Sequence, residues 1–214
     1  MISIYTPLEE RLHVAVHGAG LIAGVVATFW LLSQAAVSAS GWRILGVAVF
    51  GLSAILVFTT STIYHSTVDP VARLRWRQLD HSAIFLLIAG TYTPFAVGVL
   101  GGVWGWSLFG VLWAIAVLGI AAKVRVGFRY PRLSTAAYLF MGWAGLAAIK
   151  PLMAALSAET LSWIAAGGLF YTLGVPFYVW KSRRFTHAIW HLMVLAGVGC
   201  HFVAVHSTLS AAAS

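Results

Sequence analysis

The chain has 214 residues, 61% of them hydrophobic and only 8% Asp, Glu, Lys or Arg, where a water-soluble domain carries about a quarter charged residues. Its apolar residues fall into runs of about 17 to 22, each long enough to cross a ~30 Å hydrocarbon core, which excludes a soluble globular domain. The net charge of +8, thirteen Lys and Arg against five Asp and Glu, sits in the connections. With no basic surface domain, that charge excludes a nucleic-acid partner and points to topology and anionic headgroups.

Residues 1–11 read as a short amphipathic lead-in. Seven spans follow, at about 12–32, 44–65, 80–100, 103–122, 133–149, 160–180 and 187–206, as one transmembrane domain over residues 1–214. Backbone groups in lipid must bond within their own segment, so each span is a helix, and the alternating pattern of a membrane barrel is absent. Ser66 to Leu79 reads as a loop carrying Arg73, Arg75 and Arg77. Gly101-Gly102 makes a tight turn, Lys150-Pro151 stops the fifth span, and Pro176 kinks the end of the sixth. No cleavable signal is expected, because the first run is too long and its flank carries Glu9-Glu10; Ser38-Ala39-Ser40 resembles a cleavage site only weakly. Cys200 is the single cysteine, which excludes an intrachain disulfide and a cysteine-rich metal site.

Counted by the loops they occupy, eleven Lys and Arg lie on the side of the N-terminus, against Arg43 and Lys150 on the other. The excess places the N-terminus in the cytoplasm and the C-terminus outside, in a multi-pass plasma-membrane protein. That is the reverse of a G-protein-coupled receptor. Tyr5, Trp42, Trp104, Trp106, Tyr130, Trp163 and Trp180 lie near segment ends, as an interfacial belt. Gly20-xxx-Gly24 permits close helix contact, in this chain or in a homodimer.

Ionisable side chains are costly in lipid and need a reason to be there. The same topology brings His65, Asp80, His187 and His191 to one leaflet. His187 and His191, four apart, project from one helix face; His65 adds a third nitrogen. Three histidines with a water completing the tetrahedron describe a catalytic zinc site; imidazole and carboxylate also suit iron or manganese. Asp80 then accepts the water's proton or orients the water. Ser61, one turn before His65, holds the water or a developing oxyanion. A second set, Glu10, His13 and His17, shares a face at the start of the first span. It either binds metal, supports the first site from behind, or is polar at the interface. His81, His201 and His206 read as interfacial or packing residues, and the loop arginines as topology and phosphate contacts.

Ser61-xxx-His65, Leu79-Asp80 and His187-xxx-His191 on seven spans resemble the haemolysin III family, the bacterial branch of the progestin and adipoQ receptors (PAQR). The stretch Leu79 to Phe95, with its Gly90-Thr91-Tyr92-Thr93-Pro94, is similar to the bacterial pattern. The resemblance implies seven helices with Zn2+ near the cytoplasmic leaflet, held by His65, His187 and His191, with Asp80 reaching it through water. It also implies kinship with alkaline ceramidases and other metal-dependent lipid hydrolases, and a tie to membrane-lipid homeostasis. The family's first motif reads Glu-x-x-Asn-x-x-x-His; Glu10 and His17 match it, but His13 stands at the asparagine position.

Three functions follow. A zinc-dependent hydrolase acting on a membrane-lipid amide or ester requires an open metal position and a lipid-sized cavity. A sensor of membrane state requires only structural zinc tying spans together. A pore-forming haemolysin requires a polar path, and charged residues are nearly absent from the middles of the spans.

Overall fold

The computed structural model describes residues 5–37 and 40–211. Seven helical segments are long and apolar enough to cross a membrane, and no strand occurs among the described residues. They are α1 (Pro7–Val37), α2 (Gly41–Ser66), α3 (Pro70–Phe95, extended by a π-helical turn Ala96–Leu100) and α4 (Gly102–Val126). The fifth span is broken, with α5 (Pro131–Gly142), a 3-10 turn Ala144–Ala148 and α6 (Ile149–Ala155). Then come α7 (Ala158–Val179) and α8 (Thr186–Ser210).

Local chemistry sets the boundaries. Asp69 caps α3 by accepting the Ala72 N–H at 2.7 Å, with Pro70 in the first turn, where a missing N–H costs nothing. The cap moves the start of α3 back to Pro70, so Arg73, Arg75 and Arg77 lie on a helix, not in the expected loop, and Asp80 sits in its third turn. The Gly101-Gly102 turn holds φ of 55° and 50°, a region open to glycine at no steric cost. Lys150-Pro151 does not end the fifth span: Pro151 lies in the first turn of α6, which runs on to Ala155. Pro176 lies in the last turn of α7. The lead-in is in part helix, since α1 begins at Pro7. Residues 1–4 and the Ser38-Ala39 pair lie outside the described residues.

The helices that carry the histidines pack at the centre through small residues. Gly20 faces Phe58, where an added Cβ would lie 2.9 Å from the ring and 3.1 Å from Leu195; Gly24 also faces Phe58. The Gly20-xxx-Gly24 stripe is therefore used inside the chain, by α2 and α8. Gly46 sits so close to α3 that a Cβ would lie 2.6 Å from Pro94 Cα. These approaches draw α1, α2, α3 and α8 together around the buried polar cluster.

Candidate metal centre

Three helices supply the cluster, each through residues one turn apart: His13 and His17 from α1, Ser61 and His65 from α2, His187 and His191 from α8. All six are buried. His13, His65 and His191 each offer one donor atom, and the three atoms lie within 4.8 Å of one another. Their exposures are 0%, 3% and 3%.

The hydrogen bonds show how the rings are aimed. Nε2 of His65 and Nε2 of His191 face each other at 3.2 Å. Behind them, Nδ1 of His65 lies 2.7 Å from Glu10 Oε2, and Nδ1 of His191 lies 2.8 Å from His17 Nε2. A partner on the outer nitrogen fixes the tautomer and turns the inner nitrogen toward a shared point, as metal-binding histidines require. A gap of 3.2 Å is close to the edge, about 3.3 Å, of a tetrahedron with Zn–N bonds of about 2.0–2.1 Å. Nε2 of His13 and Nδ1 of His17 and His187 are buried with no hydrogen-bond partner among the described residues. Unpaired buried nitrogens are costly, and a cation is the partner several imidazoles share. The residues fit a metal ion.

Sequence reasoning assembled His65, His187 and His191. In the structure His13 joins His65 and His191 in the set whose donor atoms lie within 4.8 Å of one another, and His187 stands beside it. The His187 ring is 4.5 Å from His191 and 5.4 Å from His65, stacked on Tyr5 at 4.9 Å and 15°. Glu10 and His17 stand behind the rings, one against His65 and one against His191. Tyr5, expected in the interfacial belt, is instead a roof over His187; burial pushes its hydroxyl above the ordinary tyrosine value.

Asp80 opens onto a cavity of about 90 Å³ whose walls include His17, His187 and His191. Its Oδ2 lies 3.3 Å from Nδ1 of His81. Ser61 is fully buried, its hydroxyl has no partner among the described residues, and it is not part of that cavity's wall. His81 is not interfacial. It is buried, with Nδ1 at 2.9 Å from the Arg77 carbonyl and Nε2 at 3.3 Å from the Tyr178 hydroxyl. Tyr138 donates to the His81 carbonyl at 2.7 Å, so α5 and α7 close over the aspartate.

Glu9 and Arg73 are structural partners that pattern-reading passed over. Glu9 is 5% exposed and accepts from the Phe185 N–H at 2.8 Å. Phe185 has a φ of 62°, a left-handed conformation that needs support in a residue with a Cβ. It is the residue before α8, so Glu9 ties α1 to the entry of the helix that carries His187. Arg73 pairs with Glu10 Oε1, donates to the Thr67 carbonyl and lies over the Tyr64 ring. These contacts turn it toward the protein. The available signal was the adjacent Glu9-Glu10 pair in a chain with five acidic residues.

The fold and the cluster define an integral membrane protein with a buried polyhistidine centre suited to a metal ion. The chain belongs to the haemolysin-III related family, whose model matches residues 5–202. It is 40% identical over 202 residues to the Hemolysin-3 homolog of Bacillus subtilis (strain 168), covering 94% of this chain and 95% of that protein. It is 39% identical over 197 residues to Hemolysin-3 of Bacillus cereus, covering 92% and 90%. The human monocyte to macrophage differentiation factor is 27% identical over 176 residues, covering 77% and 70%. No solved structure matches. Seven apolar helices and this membership place the protein in the plasma membrane as a multi-pass protein.

Proposed function

We propose that the protein is a zinc-dependent hydrolase of a membrane-lipid amide or ester, with its centre at the cytoplasmic leaflet. The observation that carries this reading is the junction of a three-histidine cluster with an apolar cavity that also presents Asp80. When bound, Zn2+ supplies Lewis acidity toward a carbonyl and lowers the pKa of water. His65 and His191 would hold the ion through Nε2, with His13 or His187 as a third nitrogen. Asp80, on the cavity wall, takes the proton from the attacking water and returns it to the leaving group. His81 and Tyr178 hold Asp80's side of the cavity in place. The apolar walls take the acyl chain and keep bulk water away. Ser61 keeps a role only if its hydroxyl turns toward the ion when the ion is bound.

A second reading has its own observation. His13 and His187 together add two nitrogens to His65 and His191, enough to close a four-coordinate structural site. Such a protein is a sensor of membrane state with zinc as a tie between helices.

One experiment separates the two. Metal content and release of fatty acid from a lipid extract are measured for purified wild type, His191→Ala, Asp80→Asn and Ser61→Ala. The hydrolase reading expects about one zinc per chain, lost in His191→Ala, and product that disappears in Asp80→Asn with zinc retained. Zinc without product supports the sensor. Wild type without stoichiometric metal overturns both.

A further inference from the structure

Beyond the histidine cluster, α7 and α8 enclose a second polar pair. The two helices run antiparallel and trade side chains for glycines. The Tyr171 ring lies on Gly197, where any Cβ would run into it. The His201 ring lies on Gly167, where a Cβ would come 2.5 Å from Nε2. Both exchanges use an i, i+4 step, Gly167 to Tyr171 and Gly197 to His201, so the two rings are brought side by side at 5.6 Å and 32°.

Tyr171 Oη and His201 Nδ1 are buried without a hydrogen-bond partner among the described residues, and His201 is 5% exposed. The neighbouring polar groups are already engaged. Tyr92 donates to the Gly142 carbonyl and accepts from the Gly145 N–H. Thr91 donates to the Leu87 carbonyl, and Trp143 donates to Thr172.

Tyr171 and His201 both line a cavity of about 320 Å³, the size of a small-molecule site. Apart from Thr91, Tyr92 and Trp143, the rest of that cavity's wall is apolar. It shares Ile88, Gly142, Trp143, Gly168 and Tyr171 with the smaller cavity that reaches Asp80, His187 and His191. His201 is ten residues beyond His191, roughly 15 Å along the helix at 1.5 Å per residue. A chain with its head at the histidine cluster passes Tyr171 and reaches His201 partway along its length.

We infer that this pocket is a second subsite for the lipid, selective for an acyl chain that carries a hydroxyl group partway along its length. A hydroxyl both donates and accepts, which suits a phenol O–H beside an imidazole nitrogen. Tyr171 donates to the lipid oxygen, and the lipid O–H donates to Nδ1 of His201. An unsubstituted chain leaves both groups unpaired, the situation in which a built polar site discriminates most strongly. The inference rests on the proposed reading of the cavities as a lipid chamber.

The test is displacement of a fluorescent fatty acid from the full-length protein in detergent. The competitors are octadecanoate, 12-hydroxyoctadecanoate and 2-hydroxyoctadecanoate, whose hydroxyl lies at the head. The expected result is binding of the 12-hydroxy acid about tenfold tighter than octadecanoate, from one to two added hydrogen bonds, with no such gain for the 2-hydroxy acid. Tyr171→Phe and His201→Gln reduce that preference. Equal affinities in wild type, with octadecanoate bound, overturn the subsite and leave the chamber standing; ordered water then satisfies the pair. A preference undiminished in both variants also overturns it. Failure of every fatty acid to bind removes the chamber and the subsite together.

Discussion

Glu10 offers the sharpest perturbation of the centre. Its Oε2 sits 2.7 Å from Nδ1 of His65 and 3.5 Å from Nδ1 of His13, and Oε1 pairs with Arg73. The carboxylate therefore holds His65 in the tautomer that leaves Nε2 for the ion, and links the centre to α3. Partners placed behind a ligand set about 10–100-fold in metal affinity. Glu10→Gln keeps the volume and one acceptor oxygen for His65 but loses the charge that Arg73 faces, so the low end, about tenfold, is expected. Glu10→Ala removes both functions and is expected near a hundredfold. The assay is zinc competition against a chromophoric chelator with purified protein, beside thermal melts to show that each variant is folded. Folded variants that bind zinc within about twofold of wild type would show that His65 is oriented without Glu10, and the account of its Nδ1 partner fails.

Packing and topology give two further predictions. Gly46→Ala should lower stability by about 1–3 kcal/mol, because its Cβ would lie 2.6 Å from the Pro94 backbone, which cannot rotate aside. Gly18→Ala, with nothing within 4 Å, is the control and should not destabilise; equal melting temperatures in the two variants refute the close α2–α3 contact. For orientation, Val68→Cys and Val103→Cys place exposed thiols at opposite ends of α3, while Cys200 is buried. A membrane-impermeant maleimide should label Val103→Cys in intact cells and Val68→Cys only after permeabilisation; the reverse pattern puts the N-terminus outside.

The helical fold was legible because lipid leaves one solution: runs of apolar residues must close their hydrogen bonds internally. The number of spans, the Gly101-Gly102 turn and the grouping of His65, His187 and His191 at one level follow from that rule and from spacing along each helix. So does the sharing of one helix face by Glu10, His13 and His17. Boundaries were less legible where a cap overrides hydropathy. Asp69 and Pro70 extend α3 through three arginines that composition assigns to a loop.

What only the tertiary structure decided is which atoms meet. Helical spacing says that His13 and His17 share a face, but not that His13 joins His65 and His191 while His187 turns onto Tyr5. That choice depends on how closely α1 approaches α2 and α8, which Gly20 sets through its contact with Phe58. The roles of Glu9 and Arg73 depend likewise on partners far away in sequence, at Phe185 and Glu10. Periodicity along one helix orients a side chain about that helix; the distance between two helices is set by the residues packed between them, and the buried centre is built from those distances.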